Sequence, residues 1–139
     1  MTEQTYSKPI PNVNDPEMGP FWQAARQHRL TAQHCTSCGA WNFPALPICP
    51  GCLEQTLQWD DVPQEGTVWS FATYHRAFHP GFKGDLPYVV VLVETAVGIT
   101  LPGLLVGPRD GLAVGAKVKA SFVDATDEFT LPAWELLAG

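Results

Sequence analysis

Two Cys-x-x-Cys pairs, Cys35 with Cys38 and Cys49 with Cys52, constrain the fold of this chain more than any other feature. The two-residue spacer lets both sulfur atoms of a pair face one ion, and a hairpin across the ten residues between the pairs would bring them together. Four thiolates around one ion form a tetrahedral site, which suits Zn²⁺. The spacing therefore predicts a zinc ribbon.

The predicted metal site has no open coordination position, so we do not expect it to be catalytic. A catalytic zinc ion keeps one coordination position open and usually has three protein ligands that include His or a carboxylate. Iron in a rubredoxin-like site would use the same four cysteines, and the spacing does not separate zinc from iron. We expect a structural ion and no free thiol for covalent catalysis, because the sequence has no fifth cysteine.

Size and cysteine usage limit the rest of the chain. With 139 residues, 45% of them apolar, it can bury one core but hardly two large ones. No apolar run approaches the roughly 18 residues of a membrane span, and no secretory signal is visible at the N-terminus. Because the cysteines are grouped as metal ligands rather than spread as disulfides, we expect a reducing compartment, the cytoplasm.

Charge argues against nucleic acid as a ligand. Eight Lys and Arg face fourteen Asp and Glu, for a formal net charge of −6, and the cations form no run. Proteins that bind nucleic acid normally neutralise several phosphates with clustered cations. Zinc ribbons and small β-barrels often bind DNA or RNA, so the acidic balance makes nucleic-acid binding a less favoured function but does not exclude it.

The chain divides into three predicted parts: an N-terminal arm and short helix (residues 1–30), the zinc ribbon (31–58) and a β domain (59–139). Prolines in the first 19 residues predict an extended arm. Gly19-Pro20 then opens a helix, and residues at i, i+3, i+4 and i+7 form its apolar face, which Trp22 widens. These residues are Phe21, Ala24, Ala25 and His28.

The β domain shows five predicted strands and no long helix between them. Residues 67–74, 99–106, 117–123 and 129–136 are rich in β-forming side chains, and residues 88–94 form a continuous apolar run that predicts a strand buried on both faces. Corners are expected at Gly66, Gly98, Gly107, Gly111 and Gly115. The pattern fits a five-stranded barrel of the OB type, with a sandwich fragment as the alternative.

The order of these motifs resembles the DUF35 family over roughly residues 15–136. The motifs are Phe21-Trp22, Cys35-x-x-Cys38-Gly39, an aromatic-proline stretch, Cys49-Pro50-x-Cys52, Trp59 to Gly66-Thr67-Val68, Leu86-Pro87-Tyr88 and Val114-Gly115-x-x-Val118. The resemblance implies a mainly β chain: a short N-terminal helix, a rubredoxin-like zinc ribbon and an OB-fold. All four metal positions of the family are present, so it also implies a metal-bound member.

The resemblance implies a role in acyl-CoA chemistry. DUF35 proteins accompany thiolases, thiolase-like lyases, ketosynthase-type acyltransferases and, in other arrangements, MaoC-type hydratases. They are thought to help hold the CoA-linked acyl substrate and to support the fold of the partner, which carries the nucleophilic cysteine. We therefore expect a non-catalytic subunit of a hetero-oligomer, with one structural zinc ion and a CoA thioester as the ligand of the complex.

The loop 75–88 is the candidate surface for acyl-CoA or the partner. It contains His75, Arg76, His79, Phe82 and Lys83, and its two cations could meet the phosphates of CoA. The alternative is a barrel loop whose aromatic side chains only cover the core. In a strand the two histidines would stand roughly 13 Å apart, too far to share a metal ion.

No catalytic constellation emerges elsewhere in the sequence. No nucleophile elbow, phosphate loop or dinucleotide fingerprint occurs. Two pairs of adjacent acids are expected to be solvated turn residues rather than a catalytic pair. These are Asp60-Asp61 and Asp127-Glu128.

Three functions remain open. The leading one is the acyl-CoA subunit, which predicts copurification with a thiolase-like protein. A single-stranded nucleic-acid-binding protein would bind with strong salt dependence. A rubredoxin-like electron carrier would be coloured and would contain iron instead of zinc.

Overall fold

A computed structural model describes residues 11–137 of the chain. Residues 1–10, which include much of the predicted arm, and the last two residues lie outside the described part. The elements are α1 Gly19–Arg26, β1 Thr31–Cys35, β2 Trp41–Asn42, β3 Leu57–Asp61, β4 Glu65–Tyr74, a 3₁₀ helix Pro80–Asp85, β5 Tyr88–Thr95, β6 Thr100–Val106, β7 Lys117–Asp124 and β8 Thr130–Leu136. Neither helix among these elements has the length and apolarity that crossing a membrane requires.

The helix α1 begins where the sequence predicts it, with Pro20 in the first turn, where a missing N–H costs no hydrogen bond. Its buried side chains are Phe21, Ala24 and Ala25. The prediction that His28 continues this face is wrong. The helix ends at Arg26, and His28 has a left-handed backbone (φ 56°) and an exposed side chain. The N–H groups of His28 and Arg29 close the helix on carbonyls of its last turn, as in a Schellman cap.

The ribbon is a three-stranded antiparallel sheet in the order β2-β1-β3. Its central strand β1 pairs with β3 from Thr31 opposite Asp61 to Cys35 opposite Leu57. The strand β3 lies on both sides of the predicted boundary between residues 58 and 59, and that division stays a prediction. The pairing holds the first cysteine knuckle at the end of a rigid strand.

Five strands form a closed barrel in the order β4-β5-β6-β8-β7, which confirms the predicted OB-type domain and excludes the sandwich fragment. Neighbouring strands are antiparallel except β6 and β8, which run parallel from Leu104 opposite Ala133 to Val106 opposite Glu135. At the other side β4 meets β7 over residues 65–67. The closure removes most of the sheet edges that an open sheet would expose.

The barrel interior is apolar. Its most deeply buried side chains include Val68, Val89, Val91, Val93, Leu101, Val118 and Trp134. The prediction that β5 is buried on both faces is wrong, because burial alternates along this strand and Tyr88, Val90 and Leu92 are only half-buried. A continuous apolar sequence conceals this alternation, since the outer face of β5 is also apolar.

Gly66 is not a corner residue as predicted but lies inside β4, between Thr95 and Val118 of the neighbouring strands. A Cβ atom there would stand 2.6 Å from the Glu94 carbonyl oxygen, closer than real Cβ contacts. The other four predicted corner glycines have the positive φ angles that turns require. Gly66 is therefore needed for close approach of two strands rather than for a turn.

Aromatic rings join the helix to both sheets. Phe21 lies 5.0 Å from the ring of Phe43 in the ribbon loop and 6.4 Å from Trp59 of β3, measured between ring centroids. Trp22 meets Phe129, just before β8, at 5.4 Å. The helix therefore packs in the angle between ribbon and barrel, and this position creates a cleft beside the helix.

Candidate functional site

The four cysteine sulfur atoms form one cluster, within 4.8 Å of one another. The Sγ atoms of Cys35 and Cys52 are 3.6 Å apart, as are those of Cys38 and Cys49. A tetrahedral site with Zn–S bonds of about 2.3 Å places its sulfur atoms roughly 3.8 Å apart. The donor set and its spacing therefore fit a tetrahedral metal ion.

Backbone amides surround the sulfur atoms. The N–H groups of Ser37 and Cys38 donate to Cys35 Sγ, and the N–H of Gly51 donates to Cys49 Sγ, each at 3.3 Å. These donors disperse thiolate charge in a Cys-x-x-Cys turn. The local sequence is suited to such turns, because Gly39 supplies a positive φ angle at the end of the first knuckle.

The thiols differ in acidity. The Thr56 hydroxyl, 3.1 Å from Cys35 Sγ, and the amides of Cys38 and Ser37 lower the pKa of Cys35 to about 5. The Glu54 amide favours the Cys52 thiolate, but burial and the neighbouring sulfur of Cys35 outweigh it and raise the pKa of Cys52 to about 12. Four thiolates this close repel one another, and a divalent cation removes that repulsion.

A metal ion held by all four cysteines would have no open coordination position. Among residues 11–137, the four cysteines are the only group of three or more His, Cys, Asp or Glu side chains arranged to hold a metal ion. The nearest histidine in sequence, His34, instead stacks on Trp41 at 4.1 Å and bonds to Asp60 through Nδ1. The cluster can therefore stabilise the ribbon, but it offers no site for a metal-bound water or substrate.

The adjacent acids are not a catalytic pair. Asp60 and Asp61 are strand residues rather than the predicted turn residues, and they take different partners. Asp60 Oδ2 accepts from His34, which lowers the pKa of the Asp60 carboxyl, whereas Asp61 Oδ1 binds Arg29 at 2.8 Å. Successive side chains in a strand point to opposite faces, so these carboxylates cannot act on one substrate atom.

Most of the candidate loop is exposed. His75, Arg76 and Lys83 project into solvent, and the Arg76 guanidinium lies 5.8 Å from the ring centroid of Phe78. His79 caps the 3₁₀ helix, because its Nδ1 accepts the Gly81 N–H at 3.0 Å. The structure does not bring the two histidines together in a site.

Phe82 differs from the other four loop candidates because it faces a cleft of about 830 Å³. The cleft lies between α1, the ribbon loop, the 3₁₀ helix and the outer side of the barrel. Sequence reasoning did not find it. Its lining residues include Met18, Phe21, Trp22, Phe43, Tyr74, Phe82, Tyr88, Val90, Leu104, Arg109, Phe129 and Leu131.

One end of the cleft, the loop end, combines stacked aromatic rings with two charged residues. Tyr74 and Tyr88 stack with ring centroids 4.9 Å apart, and Phe82 packs on Tyr88 at 5.1 Å. Arg109 lies beside them, and its Nη2 donates to the Pro87 carbonyl at 2.6 Å. The carboxylate of Asp85 also lines the cleft.

Arg109 is the only Lys, Arg or His among the described residues that line the cleft. It follows β6 in the turn after Gly107-Pro108, far in sequence from the candidate loop. One signal could have identified it: no other cation occurs between Lys83 and Lys117. Its nearness to the loop depends on barrel closure and could not be derived from spacing.

Family models match most of the chain. A model described as the ChsH2 rubredoxin-like zinc ribbon domain matches residues 22–58, and one described as the ChsH2 C-terminal OB-fold domain matches residues 59–123. The four cysteines therefore form a zinc-ribbon site, consistent with one structural zinc ion.

A relative and two solved structures agree. A probable enoyl-CoA hydratase alpha subunit from Thermomonospora curvata is 39% identical over 140 residues; the match covers 94% of this chain, which spans only 42% of the length of that relative. A solved Ltp2-ChsH2(DUF35) aldolase is 32% identical with a TM-score of 0.80, covering 93% of this chain and 98% of that one. A DUF35 protein of unknown function from Sulfolobus solfataricus is 19% identical with a TM-score of 0.62, covering 91% and 89%, and shares the fold. The chain belongs to the DUF35 family, with the zinc ribbon and OB-fold of ChsH2.

Proposed function

We propose that this chain is a non-catalytic subunit of an acyl-CoA-processing enzyme complex. It supports a thiolase-like partner (a thiolase, an acyltransferase or an aldol/retro-aldol lyase) and helps to hold the CoA-linked substrate. The hetero-oligomer would work in the cytoplasm, where a reducing environment keeps the four cysteines available to zinc.

One observation carries the proposal: the four cysteines, which are the only ones in the sequence, are all drawn into one closed metal site. Thiolase-type chemistry needs a nucleophilic thiol, so the reacting cysteine would have to come from another chain. The names of the relatives support this reading, because one is an aldolase whose name joins Ltp2 to a DUF35 protein and another is a hydratase subunit.

The test of this proposal is affinity purification of the tagged chain from its native host, with its partners and metal identified. We expect a stoichiometric thiolase-like protein and about one zinc ion per chain. Activity on an acyl-CoA should require both proteins. Recovery of nucleic acid would favour the second function, and a coloured iron form without a partner would favour the electron carrier; either result would overturn the proposal.

The exposed loop is the part of this chain that we propose meets the nucleotide of CoA. Arg76 and Lys83 are exposed and without an ion pair among residues 11–137, so both are available to phosphates. His75 and His79 flank this surface, and Phe82 connects it to the cleft.

Changing Arg76 and Lys83 together to Ala should weaken acyl-CoA binding to the assembled complex by roughly tenfold, because two charge-assisted contacts are lost. Titration calorimetry of the purified complex measures this. Lys119→Ala is the matched control, since Lys119 is exposed on β7 and lies outside the loop. An unchanged affinity in the double variant would remove the loop from the binding surface.

A further inference from the structure

The cleft has a direction, because its polar groups lie at one end only. The loop end carries Tyr74 and Tyr88 together with two charged residues, Arg109 and Asp85. The opposite end, the helix end, is walled by Met18 and by the rings of Trp22, Phe43 and Phe129. Such an arrangement, with one cation and one carboxylate at the same end, suits a ligand with an apolar body and a polar group at that end.

The walls between the two ends are aliphatic and belong to the outer side of the barrel. Val90 of β5 pairs with Leu104 of β6, and both line the cleft together with Leu131 of β8. Val90 lies on the half-buried outer face of β5, not in the barrel interior. An apolar outer face beside an apolar helix forms a concave surface that an apolar ligand could cover.

The volume of the cleft, about 830 Å³, falls in the range of roughly 300–1,000 Å³ that is usual for small-molecule sites. An acetyl group would occupy only a small part of it. Arg109 is already held in place by Pro87, and one hydrogen bond leaves the guanidinium with further N–H donors. The cleft is therefore suited to a large apolar group whose polar end lies near Arg109.

We propose that this cleft binds the acyl part of the CoA thioester and that it selects large apolar acyl groups over short ones. The acyl body lies towards α1, and the thioester end lies near Tyr88 and Arg109. The pantetheine arm then leaves past Phe82 towards Arg76 and Lys83. This inference rests on the proposed function, and it assigns the acyl-binding part of the substrate site to this chain rather than to its partner.

Direct binding to the purified full chain, without its partner, tests the inference. Calorimetric titrations would compare dodecanoyl-CoA, kept below its critical micelle concentration, with acetyl-CoA, free CoA and dodecanoate. We expect dodecanoyl-CoA to bind more than about a hundredfold tighter than acetyl-CoA, because the longer chain buries ten more methylene groups. Dodecanoate should also bind, since the cleft recognises the hydrocarbon body, and the intrinsic tryptophan fluorescence of the chain should respond to both long-chain ligands because Trp22 lines the cleft.

Two variants of one strand separate the cleft from the rest of the surface. Val90→Trp places a large ring in the cleft and should reduce the affinity for dodecanoyl-CoA by about tenfold or more. Leu92→Trp is the matched control, because Leu92 is two residues away on the same half-buried face of β5 but does not line the cleft. Its affinity should stay within about twofold of the parent chain, and circular dichroism would verify that both variants fold.

The outcomes distinguish this inference from the proposed function. Equal affinities for acetyl-CoA and dodecanoyl-CoA, no saturable binding of dodecanoyl-CoA, or an unaffected Val90→Trp variant would each overturn the acyl site. If Val90→Trp instead abolishes copurification with a thiolase-like protein and leaves ligand binding intact, the cleft is a protein interface and the acyl site is wrong. Copurification of the parent chain, measured separately, would still support the partner role in all these cases.

Discussion

The ribbon and the barrel are stabilised in different ways. In the ribbon, which comprises β1–β3 and the two cysteine knuckles, the buried residues beside Cys35 and Cys49 are small or polar: Thr31, Ala32 and Gln33. In the barrel, valines, leucines and the fully buried Trp134 fill the interior. The ribbon therefore depends on metal coordination, whereas the barrel depends on burial of apolar surface.

The two candidate sites differ in how far apart their residues lie in the sequence. All four metal ligands lie between residues 35 and 52 and belong to two adjacent turns. The cleft takes its walls from α1, the ribbon loop, the 3₁₀ helix and several barrel strands, which are distant in sequence. The Cys-x-x-Cys spacing defines the metal site, whereas the cleft forms only when these separate elements pack together.

The sharpest test of this comparison is removal of one metal ligand. Cys49→Ser should abolish zinc binding and unfold the ribbon, because a structural zinc ion contributes on the order of 10 kcal/mol to the folding of such a module. The barrel should persist. Zinc analysis and hydrogen exchange measure this, with fast exchange expected in β1–β3 and protection kept at Val89, Val91 and Val93.

Ser37→Ala is the control for that experiment, since Ser37 is exposed within the first knuckle and is not a ligand. It should keep about one zinc ion per chain. If the barrel amides of the Cys49 variant also lose protection, the ribbon and barrel form one cooperative unit and the comparison between them fails.

A smaller effect is expected when the barrel is strained and the ribbon is left intact. Gly66→Ala should lower the free energy of unfolding by about 1–3 kcal/mol, because the new Cβ would press on the Glu94 carbonyl and on Val93. Urea unfolding measures the loss, and the zinc content should not change. Gly84→Ala is the matched control, since a Cβ atom there meets nothing within 4 Å; an equal loss at both positions would contradict this account of Gly66.

The smallest effect is expected at the hydrogen bond between the end of α1 and the barrel. Asp124 Oδ1 accepts from Thr130 Oγ1 at 2.8 Å and pairs with His28 Nε2 at 3.1 Å, and both contacts lower the pKa of Asp124. A carboxyl whose pKa is lowered by folding contributes stability above its unfolded pKa of about 3.9, and that contribution disappears as pH falls through the folded value.

Asp124→Asn should therefore reduce the melting temperature slightly at pH 6, and the difference from the parent chain should shrink as pH falls from about 5 towards 2. Thermal melts at matched pH measure this difference and cancel the loss of zinc that acid causes in both proteins. Asp110→Asn is a suitable control, because Asp110 is exposed in a turn. A difference that grows with acidity would refute the assigned role of Asp124.

Much of the fold was predictable because its signals are local. The Pro20 start of α1 and the five barrel strands follow from turn residues and from runs of β-forming side chains. His28 escaped prediction because it has the apolar-face spacing but occupies a cap position that usually favours glycine. The half-buried outer face of β5 was not predicted, because the residues on both faces of this strand are apolar.

The candidate surface and the cleft overlap only in part, because Phe82 is the one of the five named loop candidates that lines the cleft. Lys83, the next residue in the 3₁₀ helix, stays exposed, and so does Arg76, which precedes that helix. Arg109 was missed because it belongs to no motif, whereas Val90 lies in the predicted strand 88–94 but lines the cleft only in the folded chain.

The four metal ligands and the positions of the barrel strands along the chain can be read from the sequence, because they depend on residue type and on spacing over a few residues. The place where the apolar outer face of the barrel meets α1, and the cation beside it, follow instead from the folded arrangement of the chain. Closing the barrel through the parallel pairing of β6 with β8 brings Leu104 and Leu131 to one surface and sets Arg109 next to Pro87. That juxtaposition depends on contacts between distant segments, for which a single sequence carries no periodic signal.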